Sequence, residues 1–343
     1  MAPTGRAAKR LAISSGRDAD TIHKALEASV RETGRTYFER NEANPLEEDL
    51  IIVDEASMLD ISLFYHLLCA LKDGARLILV GDIDQLPPVG AGEPLKDLMS
   101  WGYVPIVRLK RIFRQEEGSG IVENAALIRK GEMCVPDEAG EFRIIYAADD
   151  EDAYRIVMDL CRELNYGNEE NKMLLQVLSP MYRGVCGVDH LNKSLQEMIH
   201  GEKVPDGMKF FPGDKVMQTR NDYEKGIYNG DVGTVWTATP QKVFVRYFDK
   251  EVVYEGEERF DLRLAYAVTV HKSQGSEYET VIFILRPSQH NMLQRNLLYT
   301  GVTRARKNTI LVTAPDALRR ALAIQHTGNR YSLFLPFLNH EAL

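Results

Sequence analysis

Five short strings in this sequence combine acids, cations and glycines in patterns suited to phosphate chemistry. Asp54-Glu55 follows the apolar run Leu50-Ile-Ile-Val53. An Asp at a strand end can hold Mg²⁺, and a following Glu can polarise the water that attacks a γ-phosphate. The same two acids would equally serve the first turn of a following helix. Gly81-Asp-Ile-Asp-Gln85 runs into Leu86-Pro-Pro-Val89, where two prolines lock φ. Its side-chain amide could sense a γ-phosphate; as an ordinary connection the stretch is a turn. Arg108-Leu-Lys-Arg-Ile-Phe-Arg114-Gln115 and Tyr299-Thr-Gly-Val-Thr-Arg304-Ala-Arg306 concentrate cations. Each reads either as a solvated face or as the source of an arginine that neutralises charge on a transferred phosphoryl group. Val268-Thr-Val-His-Lys-Ser-Gln-Gly275-Ser-Glu277 offers a row of donors suited to phosphate and sugar.

These strings need strand ends to hold them. Leu50-Ile-Ile-Val53 and Leu77-Ile-Leu-Val80 are continuous rather than alternating, which predicts parallel strands buried on both faces. Between them Met58, Leu59, Leu63, Leu67, Leu68 and Leu71 recur at helical spacing. Strand, helix, strand predicts a βαβ unit and an α/β class, with ligands beyond the strands' carboxyl ends. A second α/β pattern places strands at 176–178, 265–270, 281–285 and 309–312. Interrupting it, residues 212–254 alternate short β-rich pieces (215–218, 233–237, 242–247, 251–254) with turns such as Tyr228-Asn-Gly-Asp-Val-Gly233, predicting a small inserted antiparallel barrel. Residues 24–49 read as a surface excursion.

The 343 residues suffice for two domains, and 44% hydrophobic with 27% charged residues excludes wholesale disorder. The net charge of −8 argues against a polycationic nucleic-acid coat but not against a local basic groove. Residues 137–170 carry eleven acids against three arginines, an excess equal to that of the whole chain, so the acidity is local and reads as a solvated helical face. Cys69, Cys134, Cys161 and Cys186 form no C-x-x-C pair, which predicts reduced, space-filling thiols. With no apolar run long enough for a bilayer and no secretory h-region in these residues, a cytoplasmic location with no membrane partner is expected.

Taken in order, the strings resemble the motifs of superfamily-1 DNA helicases of the RecD/TraA type (exodeoxyribonuclease V alpha-subunit-like). Ala2-Pro-Thr-Gly-Arg-Ala-Ala-Lys-Arg-Leu11 with Thr21-Ile-His23 is similar to motif Ia, and residues 51–57 to motif II, the Walker B string. Residues 80–90 resemble motif III, Arg114-Gln115 motif IV, 269–277 motif V and 298–306 motif VI, while Ser179-Pro-Met-Tyr-Arg-Gly184 resembles the start of the second motor domain. The resemblance implies two RecA-like P-loop NTPase-type domains, the first incomplete: 1–115, then 116–204 with 262–343, with an SH3-like β-barrel inserted at 205–261. It implies an ATP site between the two motor domains. There Asp54 would hold Mg²⁺, Glu55 would activate water, Gln85 would report the γ-phosphate, and Arg114 and Arg304 would act as arginine fingers. Gly275 and Glu277 would border the sugar. Single-stranded DNA would meet Thr4, Gly5, Arg6, Val89, Tyr182, Thr269, His271 and, on the barrel, Asn229. Translocation 5′ to 3′ and separation of the duplex at single-strand/double-strand junctions are further implications.

One departure stands out. No G-x-x-x-x-G-K-[ST] string occurs in these residues, although the family's first motif should precede motif Ia. Two expectations follow: a piece of a longer helicase that acts in repair or conjugation, with nuclease or recombination subunits as expected partners, or a catalytically silent DNA-binding or scaffold subunit of a helicase or recombination complex. Either way, this polypeptide alone is expected not to hydrolyse ATP, and its first domain to need a strand from a missing N-terminal segment or a partner chain. An unrelated kinase or nucleotidyl enzyme is disfavoured by the joint presence of Gln85, Arg114, Arg304 and the insertion.

Overall fold

The computed structural model describes residues 1–30, 36–109, 119–201, 208–222, 224–248, 250–325 and 334–339. Arg114 and Gln115 therefore lie outside the described residues. The described chain falls into two compact units: residues 1–109 with the short helix Phe334–Leu338, and residues 119–325.

In the first unit α1 (Gly5–Ser15) begins where the Thr4 hydroxyl accepts the Ala7 N–H, satisfying one of the helix's unpaired donors. A short α2 (Ile22–Ala25) leads into the hairpin β1 (Ala28–Val30) and β2 (Thr36–Phe38). Leu26, Phe38 and Leu46 are buried in the unit's core, so residues 24–49 are more than a surface excursion. Next come β3 (Leu50–Val53), α3 (Ile61–Cys69), β4 (Arg76–Leu79) and α4 (Pro94–Trp101). β3 and β4 pair in parallel, the predicted βαβ unit. Burial on both faces does not hold. Ile51 and Val53 face the core, whereas Leu50, Ile52 and Ile78 stand at 41–48% exposure. Among the described residues this sheet has two strands, and only one of its faces is covered by Leu59, Leu63, Phe64 and Leu67.

The second unit opens with α5 (Gly120–Lys130), then β5 (Phe142–Tyr146), α6 (Asp150–Glu163), α7 (Glu169–Leu174), β6 (Leu175–Ser179) and α8 (Val188–His200). A five-stranded antiparallel sheet follows: β7 (Lys215–Gln218), β8 (Val232–Ala238), β9 (Lys242–Arg246), β10 (Glu251–Glu255) and β11 (Leu262–Leu264), in the order β10-β9-β8-β7-β11. The chain then resumes the parallel layer with β12 (Ala267–Thr269), β13 (Tyr278–Leu285), α9 (Arg295–Val302), β14 (Ala305–Thr313) and α10 (Pro315–Ala323). That layer is five parallel strands ordered β12-β6-β13-β14-β5. All of β6 is buried. At the layer's edge the Asn192 amide both donates to the Ala267 carbonyl (2.8 Å) and accepts its N–H (2.9 Å), taking the place of a further strand.

The acidic window is not merely a solvated face. Asp149 caps α6 by accepting the Asp152 N–H, Asp150 pairs with the buried Arg286 at 3.2 Å, and Asp137 accepts the N–H groups of Glu141 and Phe142. Strand β5, hidden in that window, was not anticipated from the sequence.

A buried polar lock joins the antiparallel insert to the parallel layer. Asp214, fully buried, accepts from Tyr266 Oη (2.9 Å), Gln196 Nε2 (2.5 Å) and the Phe211 N–H (2.7 Å), and its other contact is His200 Nε2 (2.9 Å). Its neighbour Lys215 donates to the Leu175 carbonyl and to Gln176 Oε1, each at 3.0 Å. Buried charges persist when saturated in this way.

Candidate functional site

The acidic pair sits where β3 ends. Glu55 adopts φ 52°, a left-handed conformation uncommon outside glycine, and its N–H donates to Asp54 Oδ1 at 2.9 Å. The next N–H, of Ala56, donates to the Val80 carbonyl beyond β4, so the two strand ends are stitched together. Gly81 packs so closely that a Cβ there would lie 2.8 Å from the Ser57 nitrogen. Glycine is thus demanded by the approach of one loop to the other. Gln85 lies in the Gly81 loop, its N–H donating to the Asp82 carbonyl (3.2 Å) and its Nε2 standing 3.5 Å from Asp82 Oδ2.

Arg10 of α1 reaches across to Glu55, Nη2 to Oε1 at 3.0 Å, with the Glu55 side chain 9% exposed. Sequence reading missed this contact; its only trace is the basic run Lys9-Arg10 in α1. Thr4, Gly5 and Arg6 form the start of the same helix. Val89, after the two prolines, is 91% exposed.

This strand end fits a magnesium ion delivered on nucleotide phosphates. It offers two carboxylates and, beside them in sequence, the Ser57 hydroxyl, buried with no hydrogen-bond partner. Among the described residues no cluster of three or more His, Cys, Asp or Glu could hold a metal. A partial protein shell is what magnesium bound mainly through phosphate and water needs.

In the second unit the other strings meet at the ends of β12 and α9. Gly275 takes φ 71° and lets the chain turn back from the 269–277 loop into β13. Glu277 accepts from Arg306 Nε at 3.0 Å. Arg304 is 2% exposed, with Nε donating to the Thr300 carbonyl (3.1 Å) and Nη1 to the Ser276 carbonyl (3.2 Å). The structure therefore ties the last two strings to each other.

A cavity of about 850 Å³ opens between β12 and the root of the antiparallel insert. Tyr182, Lys209, Phe260, Arg263, Thr269 and Lys272 are among its lining residues. Lys272 Nζ donates to Asn229 Oδ1 at 2.7 Å, and the Arg263 guanidinium lies 5.9 Å from the Tyr182 ring centroid. Partial burial, and then Arg263, holds the ammonium groups of Lys209 and Lys272 below their usual pKa. Cations crowded with aromatic rings suit a phosphate chain carrying flat bases. Of the residues singled out from sequence, Tyr182 and Thr269 line the cavity, and Asn229 reaches it only through its hydrogen bond with Lys272. His271 is exposed in the adjoining loop and does not line the cavity. Lys209, Phe260 and Arg263 were missed, because isolated cations and aromatics carry no motif.

Three family models match successive parts of the chain: an AAA domain over residues 1–143, an ATP-dependent RecD-like DNA helicase SH3 domain over 191–247, and a UvrD-like helicase C-terminal domain over 264–312. The ATP-dependent RecD2 DNA helicase of Deinococcus radiodurans is 38% identical over 97% of this chain. The chain belongs to the RecD-like helicases. The RecBCD enzyme subunit RecD of Mycolicibacterium smegmatis is 32% identical over the same share. This RecD-like chain spans 45% of the Deinococcus protein's length and 65% of the Mycolicibacterium subunit's. Its fold resembles the Bacteroides Pif1 helicase solved with ADP-AlF3 and single-stranded DNA (TM-score 0.58, 21% identity, 99% of this chain and 86% of that one). It also resembles the Candida albicans Pif1 helicase (TM-score 0.53, 18% identity, 95% and 85%). The mixed α/β architecture with RecA-like parallel sheets and an SH3-like insert is thus that of a RecD-like helicase.

Proposed function

We propose that this chain carries the single-strand track and part of the ATP site of an ATP-dependent 5′–3′ DNA helicase of the RecD/TraA type. The observation that carries the reading is the 850 Å³ cavity, where Tyr182, Thr269, Arg263 and Lys272 converge at the root of the insert. Single-stranded DNA lies along this cavity and meets Asn229 and His271 beside it, while Thr4, Gly5, Arg6 and Val89 contact it on the first unit. At the ATP site Asp54 is the magnesium ligand, Glu55 orients water, Gln85 senses the γ-phosphate, Gly275 and Glu277 border the sugar, and Arg114 and Arg304 are the arginine fingers. For Arg304 that role requires the guanidinium to leave the carbonyls of Thr300 and Ser276. Magnesium-bound ATP supplies the phosphoryl bond whose hydrolysis drives movement.

The domain division belongs to the same reading: 1–115, 116–204 with 262–343, and the barrel at 205–261, corrected at its C-terminal end, where the helix Phe334–Leu338 packs with the first unit's core and not with the second. So do a cytoplasmic place of work, junction DNA as substrate and nuclease or recombination subunits as partners. Among the described residues no helix is long and apolar enough to cross a membrane.

Because no Walker A string occurs in the 343 residues, the isolated polypeptide does not hydrolyse ATP at helicase rates. The same observation favours the second reading, a silent DNA-binding or scaffold subunit. Titrating labelled oligo-dT across a salt series tests the shared part. Arg263→Ala and Lys272→Ala should each weaken binding and reduce the salt slope by about one. Unchanged affinity and slope in both would remove the cavity from the track. Robust DNA-stimulated ATP hydrolysis by the isolated chain would overturn its inactivity.

A further inference from the structure

The contact between Arg10 and Glu55 links two sites that the proposed function treats separately. Glu55 is the more buried and more constrained partner. Its backbone is held left-handed at φ 52°, its N–H is spent on Asp54, and its side chain is 9% exposed. Arg10 is more accessible, with its side chain 33% exposed. It stands four positions after Arg6, hence one turn along the same face of α1, with Lys9 between them and no acid anywhere in the helix. A phosphate chain reaching Arg6 at the start of α1 next meets Arg10.

We propose that Arg10 is shared between two anions: it holds the Glu55 carboxylate in the DNA-free chain, and a single-strand phosphate on α1 competes for it. DNA arrival then frees Glu55 to orient water, and DNA departure parks it again. Arg10 is a positioning residue, acting on the reaction only through Glu55. Its long flexible stem and forked guanidinium suit a change of partner between carboxylate and phosphate. This inference rests on the proposed single-strand track over α1 and on the proposed role of Glu55.

The test is a double-mutant cycle in DNA affinity, read on the full chain by anisotropy of labelled oligo-dT across a KCl series, with thermal melts of every variant. Arg10→Ala should weaken binding and reduce the salt slope by about one, whereas Arg10→Lys, which keeps the charge, should retain the slope. Glu55→Gln should tighten binding about three- to tenfold by releasing Arg10, an effect that vanishes in the Arg10→Ala background. Equal tightening with and without Arg10 would mean simple charge repulsion and overturn the shared arginine, as would no effect of Glu55→Gln. Arg6→Ala separates the two failures. If it weakens binding while the cycle is additive, only the sharing falls; if it and Arg10→Ala both leave affinity and slope unmoved, the track over α1 falls and the sharing with it.

Discussion

Two parallel sheets made from nearly the same kind of sequence meet different fates in this molecule. Leu50-Ile-Ile-Val53 and Leu77-Ile-Leu-Val80 are as apolar as Val281-Ile-Phe-Ile-Leu285 and Thr309-Ile-Leu-Val312. Residues 281–285 and 309–312 are buried throughout, in the middle of five strands with helices on the faces. β3 alternates buried and exposed residues in a sheet that has two strands among the described residues. Strand hydrophobicity therefore reports what a strand is built to face, while the neighbours decide what it does face. β3 and β4 thus leave Leu50, Ile52 and Ile78 as exposed apolar side chains.

The sharpest test of that contrast is a pair of truncations. Phe283→Ala, at the centre of the five-stranded sheet, should cost about 3–5 kcal/mol, whereas Ile52→Ala should cost under about 1 kcal/mol. The two tryptophans allow separate reporting by urea denaturation, since Trp101 lies in the first unit and Trp236 on β8. Equal costs would erase the distinction.

Next in size is the lock beneath the insert. Asp214→Ala strands its donors and leaves Lys215 buried beside them, so a loss of about 3 kcal/mol is expected, seen through Trp236 and not Trp101. A loss below about 1 kcal/mol would show that the insert does not depend on this lock.

Thiol chemistry should divide the units more gently. Burial pushes Cys134, Cys161 and Cys186 of the second unit up from 9.0 to about 12. Cys69 of the first unit is only half-buried. At pH 8 an aromatic disulfide reagent should modify Cys69 first and the other three only on unfolding. The sign of the linkage follows: thiols raised in the folded state favour folding fully below pH 9, and that contribution is lost between 9 and about 12. Trp236 should accordingly report a more alkali-sensitive unit than the core packing alone suggests.

The smallest effect expected is on the acidic helix. Arg162 and Asp159 form a pair in which both side chains are more than half exposed. Arg162→Ala should stay within about 0.5 kcal/mol of wild type in the same denaturation.

The sequence by itself determined the α/β class, the position of most strands, the antiparallel insert and the strings at the strand ends. Those features depend on local pattern: continuous apolar runs, turn glycines, and acids or cations fixed a few residues from a strand. It missed β5, whose Phe142-Arg-Ile-Ile-Tyr146 sits within an acidic stretch that masks it, and β11, too short to declare itself. Only the tertiary structure brought Arg10 to Glu55, Asn229 to Lys272, and Tyr182 to Arg263, across separations that no spacing rule covers. Pattern fixes which face of an element is apolar. Contacts between side chains far apart in sequence depend on how those faces are assembled, and that is a property of the packed chain.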